Sequence, residues 1–116
     1  MASEVKEFFE KFKNDVAKMK EQAPDTVNGF AAMFGKIMKD GALTLREKEL
    51  VALGIGVAQR CVPCIRAHVQ KSLDAGATKE QILEAASVAV MMGGGPAYTH
   101  IPVVIETLEA LRSRGD

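Results

Sequence analysis

Residues 44–68, TLREKELVALGIGVAQRCVPCIRAH, contain the strongest structural signals in the chain. Thr44 followed three positions later by Glu47 is a capping box, which predicts that a helix begins here. The apolar run from Leu50 to Ala58 makes this helix a central, buried one. A single buried strand also fits the periodicity, but the capping box and the length favour a helix.

Proline fixes where this helix must end. Pro63 is tolerated only in the first turn of a helix, and it pushes Val62 away from the α region. The buried helix therefore ends near Arg60, and a second helix begins around the cysteines. Gly54 and Gly56 are each costly in a helix interior, by ~1 kcal/mol relative to alanine, which indicates that another part of the chain comes close to them.

Helical periodicity continues on both sides of this hairpin. A second capping box, Thr78 to Gln81, opens a helix that follows the stop at Gly76, and Asp25 or Thr26 can cap a helix near the start. The predicted helices cover about residues 3–21, 25–39, 44–60, 62–75, 78–92 and 97–112. We therefore predict one all-α domain of about six helices over residues 1–116, with a buried helical hairpin that carries the cysteines and residues 1–22 as an additional N-terminal helix.

Composition narrows the possible functions. Fifteen Lys and Arg balance fifteen Asp and Glu, which removes the electrostatic basis for nonspecific binding to nucleic acid or to anionic membranes. No apolar run approaches the ~20 residues that span a bilayer, and the charged N-terminus does not resemble a signal peptide. We expect a cytoplasmic protein, in which two cysteines three positions apart are more often catalytic or metal-binding than structural.

The two cysteines and a histidine are spaced for thiol chemistry. Cys61 falls at a helix N-terminus, where exposed N–H groups and the helix dipole stabilise a thiolate, and Arg60 and Arg66 could add to this effect. Cys64 is one turn further on, near enough for a disulfide with Cys61. His68 follows Cys64 by four residues, so its imidazole is placed to take the thiol proton.

A carboxylate joins this group if the chain reverses near Arg60. Glu49 lies eleven residues before that bend and His68 eight after it, which corresponds to roughly 16 and 12 Å along the two helices. The two side chains should then lie within about one turn of each other, and Glu49 would orient His68. The simpler alternative is that Glu49 is a surface carboxylate paired with Arg46.

Together, Glu49, Cys61-x-x-Cys64 and x-x-x-His68 resemble the signature of the alkylhydroperoxidase D-like (AhpD-like) branch of the carboxymuconolactone decarboxylase superfamily. The surrounding sequence is also similar, and the resemblance covers about residues 24–112. It implies an all-helical fold that assembles as a homo-oligomer, usually a trimer or hexamer. It also implies a peroxidase or disulfide reductase of the peroxiredoxin type, which uses no metal or other cofactor.

The resemblance also assigns roles to residues. Cys64 takes the peroxide-attacking position and Cys61 the resolving one, while His68 and Glu49 take the proton-relay positions. The substrate would be a hydroperoxide or a disulfide, and the electron donor a dithiol or a lipoylated protein. The sequence departs from the family at Pro63, where the best-studied members carry a histidine; a proline here is similar to the thioredoxin type of exchange motif. Helix-terminus electrostatics alone favour Cys61 as the nucleophile.

Two functions of other classes remain open. A non-redox lyase or isomerase acting on a small carboxylic acid would follow the name of the superfamily, although those decarboxylases generally lack the cysteine pair. A redox-sensing or zinc-binding subunit would use Cys61, Cys64, His68 and His100 as ligands, although three of these would lie on one helix. For His100 alone, a role in packing or at an interface is favoured.

Overall fold

The computed structural model describes residues 2–115, and the side chains as far as Arg112. This part of the chain is all-α. Its helices are α1 Ala2–Gln22, α2 Pro24–Ile37, α3 Leu45–Ala58, α4 Val62–Asp74, α5 Lys79–Gly93, the one-turn α6 Gly95–Tyr98 and α7 Ile101–Gly115. The six longer helices are those that the sequence predicts.

The two capping boxes form as predicted. The Thr44 hydroxyl accepts the backbone N–H of Glu47 and the Glu47 carboxylate accepts that of Thr44, at 3.1 and 2.8 Å. Thr78 and Gln81 make the same pair of bonds at the start of α5. Each pair satisfies two N–H groups that a helix start would otherwise leave unbonded, so the starts of α3 and α5 are fixed locally.

Helix α3 lies at the centre of the fold and packs mainly on α4 and α5. The core combines residues of α3, α4, α5 and α7, among them Leu53, Val57, Ile65, Val69, Ile82, Ala86, Val104 and Leu108. The other side of α3 is not covered: Val51 and Ile55 are 54% and 53% exposed. The prediction that α3 is buried all round is therefore correct for one face and wrong for the other.

The reversal between α3 and α4 is compact. The backbone N–H of Arg60 bonds to the Val57 carbonyl and that of Cys61 to the Gly56 carbonyl, both at 3.0 Å. This is the Schellman pattern, which requires a left-handed residue after the helix end. Arg60 takes that place with φ of 58°, a conformation that glycine or asparagine usually provides. The chain thus turns back where Pro63 predicts it should.

Two helix boundaries differ from the predictions. Helix α2 begins at Pro24 after Ala23, which provides no side-chain cap, so neither Asp25 nor Thr26 caps it. The last helix begins at Ile101 rather than near residue 97. Pro102 has no N–H to continue the hydrogen-bond ladder from the preceding turn, and therefore the segment divides into α6 and α7.

An apolar groove runs along the uncovered face between α3 and α5. It is lined by Leu50, Val51, Ile55, Ala85, Val88 and Met92, among others, and Val88, Met91 and Met92 are strongly exposed. An exposed apolar groove of this kind is a candidate interaction site. Among residues 2–115, no helix combines the length and apolar character that crossing a membrane requires.

Candidate active site

The cysteine pair opens α4. Cys61 is the N-cap residue, with an extended backbone, and its sulfur accepts the backbone N–H of Cys64 at 3.3 Å. The structure holds the two cysteines as a disulfide with a Cα–Cα distance of 5.2 Å, within the ordinary range for such bonds. Both residues are half-buried. The sulfur of Cys61 therefore lies at the positive end of the α4 dipole, as predicted.

A glycine allows α4 to approach α3 at this point. A Cβ at Gly56 would lie 3.2 Å from the Cβ of Cys64 and 3.6 Å from the Ile65 nitrogen. Gly54 is less tightly placed, since a Cβ there would meet only the Ala85 carbonyl oxygen at 3.6 Å. The expectation that the glycines admit a close neighbour is confirmed for Gly56, where the neighbour is Cys64, but not for Gly54, whose contact is an ordinary one.

Glu49 and His68 meet across the helical hairpin. The Nδ1 of His68 and the Oε1 of Glu49 are 2.6 Å apart, although the residues are 19 positions apart in sequence. Glu49 is 3% exposed, so it is not the surface partner of Arg46 that the alternative requires. A carboxylate can only accept a hydrogen bond. Nδ1–H is therefore the donor, and in the neutral imidazole this leaves Nε2 with the lone pair that a base needs.

His68 is also one helical turn beyond Cys64 on α4. Residues four apart on a helix are neighbours on the same face, so the imidazole and the Cys64 sulfur share one side of α4. The structure thus brings all four predicted site residues to the α3–α4 hairpin. The arrangement can accept a proton from a thiol at the imidazole, because the buried carboxylate stabilises the resulting imidazolium.

One neighbour of the site was not anticipated. The ring of Phe34, from α2, stacks on the His68 imidazole with a centroid distance of 6.4 Å and an interplanar angle of 26°. The Lys71 ammonium lies 5.1 Å from the centre of the same ring. In the sequence, Phe34 is one member of an apolar stripe, and periodicity does not indicate which helix that stripe meets.

Arg66 does not turn toward the cysteines as predicted. Arg66 places its guanidinium over the ring of Phe8, 5.3 Å from the centroid. Two residues beyond Cys64 on a helix, it projects from a different face, toward α1. Arg60 is exposed in the turn. The positive contribution at Cys61 that the structure shows is the N-terminus of α4.

His100 belongs to a separate structural element. Its Nδ1–H donates to the Pro96 carbonyl at 2.7 Å, which stabilises the turn between α6 and α7 and agrees with the expected packing role. Within residues 2–112, no three His, Cys, Asp or Glu side chains are grouped so that they could hold a metal ion. The ligand set that the zinc alternative requires is therefore not assembled.

Fold and site together define a class of small all-helical proteins in which a Cys-x-x-Cys pair opens a helix beside a Glu–His pair. The model of the carboxymuconolactone decarboxylase family matches residues 24–101. The chain belongs to this family, and the resemblance noted in the sequence is confirmed at that level.

Solved structures agree with this assignment. A carboxymuconolactone decarboxylase family protein from Legionella pneumophila, solved in its apo form, gives a TM-score of 0.84 at 33% identity, with 97% of this chain and 98% of that chain covered. A family member from Thermotoga maritima with a suggested part in the antioxidative response gives 0.81 at 27% identity, with 92% and 91% covered.

A similar protein is also found in Paracoccus denitrificans, where it is described as uncharacterized protein 4 in the cox locus. It is 37% identical over 84 residues, which is 72% of this chain and 76% of that protein. These matches support the family and the fold; the activity has to be argued from the site.

Proposed function

We propose that this protein is a thiol oxidoreductase that reduces hydroperoxides through the Cys61–Cys64 pair. The observation that carries the proposal is the 2.6 Å contact between Glu49 and His68, one helical turn from Cys64. A buried carboxylate–imidazole pair beside a thiol is the arrangement that activates a cysteine nucleophile. The suggested antioxidative part of the Thermotoga maritima relative is consistent with this chemistry.

The proposed cycle starts from the reduced pair. His68 Nε2 takes the Cys64 proton, and the thiolate attacks the terminal, O–H oxygen of the hydroperoxide. The O–O bond breaks, the alcohol leaves with the proton returned by the imidazolium, and Cys64 becomes a sulfenic acid. The Cys61 thiol then condenses with it and releases water, which gives the disulfide. A dithiol donor, free or as a lipoyl group on a protein, restores both thiols by exchange and is itself oxidised to a disulfide.

A second reaction, reduction of disulfides, is favoured by Pro63. It occupies the second position of α4, between the two cysteines. Exchange needs an accessible thiolate at the helix N-terminus, for which Cys61 is better placed than Cys64. We assign attack on peroxide to Cys64 and exchange with the donor to Cys61. We expect the protein in the cytoplasm, where thiols are kept reduced, so a reduced dithiol donor would be present there.

Thiol titration tests the proposal directly. Fully reduced protein is treated with hydrogen peroxide or cumene hydroperoxide, and free thiols are counted before and after, then again after dihydrolipoamide is supplied. We expect both thiols to be lost, an intramolecular disulfide to form, and dihydrolipoamide to restore the thiols. Thiols that survive every hydroperoxide but react with a small disulfide would identify the exchange reaction instead.

Single replacements separate the two cysteines. Cys64→Ser should abolish peroxide consumption, whereas Cys61→Ser should stop after one oxidation and leave a sulfenic acid that dimedone labels. The double serine variant tests the non-redox alternative, because lyase or isomerase activity on a small carboxylic acid would survive it. Labelling at Cys61 in the Cys64→Ser protein would reverse our assignment of roles.

We propose further that the protein assembles as a homo-oligomer through the α3–α5 groove. The exposed Val88 and Met92 and the half-exposed Ile55 support this, as does the trimeric or hexameric assembly implied by the family resemblance. Sedimentation equilibrium of the wild type and of Val88→Glu tests it. The charge should shift the protein toward the monomer, and an unchanged mass distribution would refute the use of this groove.

A further inference from the structure

Helix α2 stands apart from the core. Every residue of α2 keeps part of its surface exposed, and the helix packs mainly on α1. Its apolar residues Phe30, Met33 and Ile37 are 60%, 52% and 54% exposed. Phe34, on the same helix, is half-buried. The burial of Phe34 therefore has a local cause, namely its contact with α4.

That contact involves two side chains of α4. His68 stacks on the Phe34 ring, and Lys71, three positions later, places its ammonium near the same ring. Residues three apart on a helix lie on the same face, so α4 presents an imidazole and a cation together to one aromatic ring. Cation–π attraction toward Lys71 helps to keep the ring of Phe34 where it meets His68.

The imidazole is thereby restrained in two different ways. The hydrogen bond from Nδ1 to Glu49 holds one edge of the ring, but the imidazole can leave this bond by turning about its Cα–Cβ and Cβ–Cγ bonds. The near-parallel, offset ring of Phe34 beside it opposes that turn. A base must be oriented as well as present, because small misplacements of reacting groups lower rates strongly.

We propose that Phe34 is a positioning residue for His68: its ring, near-parallel to the imidazole with the centroids 6.4 Å apart, keeps the base in the orientation in which Glu49 holds its Nδ1 edge. The inference rests on the proposed function insofar as His68 is the base for Cys64. The contact between Phe34 and His68 itself does not depend on any activity. It assigns to the otherwise exposed helix α2 a direct part in the site.

Nitrogen NMR of the His68 imidazole in the oxidised protein tests the positioning without any turnover. The chain has two histidines, so a His100→Gln variant assigns the signals. In the wild type we expect separate Nδ1–H and Nε2 resonances, with the ring protons shifted by the Phe34 ring current. In Phe34→Ala, the two nitrogen shifts should move toward each other as the imidazole exchanges between tautomers. Phe34→Tyr should restore the wild-type pattern.

The rate of thiol loss with cumene hydroperoxide is measured on the same variants after reduction. We expect Phe34→Ala to be slower by about tenfold, Phe34→Leu to be nearly as slow because it keeps apolar bulk without a flat face, and Phe34→Tyr to stay within about twofold of the wild type. Met33→Ala, an exposed position on the same helix, is the matched control and should match the wild type in both measurements.

The outcomes distinguish the positioning role of Phe34 from the proposed thiol oxidoreductase function. His68 nitrogen shifts that are identical in Phe34→Ala and in the wild type would overturn the positioning role, whatever the rates. If the wild-type thiols do not react with any peroxide or disulfide while the Phe34→Ala spectrum changes as described, the proposed function fails and the positioning of His68 stands. Because α2 contributes no buried residue, we expect all of these variants to fold, which circular dichroism checks.

Discussion

Replacing Glu49 by glutamine tests the proton relay at its buried end. The variant keeps the size of the side chain and removes its charge at a position that is 3% exposed. The amide oxygen can still accept from Nδ1–H, but the amide carries no charge to stabilise the imidazolium; its NH2 group can instead donate to Nδ1, which places the ring proton on Nε2. The weakened base should therefore lower the rate at which the Cys64 thiolate forms and reacts with peroxide.

The magnitude follows from the 2.6 Å hydrogen bond. A hydrogen bond to a charged group contributes about 1.5–3 kcal/mol. If this contribution is realised in the transition state, the rate falls by about 10- to 150-fold, similar to the 10- to 100-fold typical of a residue that orients a functional histidine at a metal site. Stability should change less, by about 1–2 kcal/mol, because no unpaired buried charge is left behind.

Stopped-flow measurement of thiol loss with cumene hydroperoxide gives the rate, and urea unfolding gives the stability. Glu47→Gln is the control: it removes a carboxylate from the same helix, but at the exposed capping box. Glutamine can keep the capping box, as Gln81 does in α5, so we expect the lost charge near the helix start to lower stability by at most about 0.3–1 kcal/mol and the rate to stay unchanged. A Glu49→Gln protein that reacts within about threefold of the wild-type rate would refute the relay.

Four further substitutions, three in the α3–α4 hairpin and one at the start of α5, are each tested by urea unfolding. Gly56→Ala should destabilise the protein by about 1–3 kcal/mol and slow thiol oxidation, because the new Cβ meets the Cβ of Cys64 at 3.2 Å. Gly54→Ala is the control: its Cβ makes an ordinary contact, so the substitution should be neutral or stabilising. Equal effects at the two glycines would contradict the role of Gly56 in the close approach of α4. Arg60→Gly should stabilise by about 1 kcal/mol by relieving its positive φ, which a loss of stability would disprove. Thr78→Ala should cost about 1 kcal/mol through the lost cap without altering the thiol rate, and an unchanged midpoint would mean that this cap contributes little.

Helix starts and the cysteine-bearing turn could be predicted from the sequence because they depend on neighbours within a few residues. Thr44 and Thr78 find their bonding partners three positions on, and Pro63 restricts its own turn. The meeting of Glu49 with His68 could also be anticipated, because two helices that leave one bend bring positions at similar distances from it together. The boundary before α7 could have been placed better from Pro102, whose missing N–H is a local property.

Local signals were therefore sufficient to predict six helices, the reversal before the cysteines and the set of residues with thiol chemistry. Long-range packing was needed to show that one side of α3, at Val51 and Ile55, stays exposed, that Arg66 turns to Phe8, and that Phe34 lies beside His68. The difference arises from the range of the interactions. Hydrogen bonds in caps and turns join residues a few positions apart. Contacts between helices that are distant in sequence depend on how whole faces pack, and an apolar stripe alone does not specify which helix it packs against.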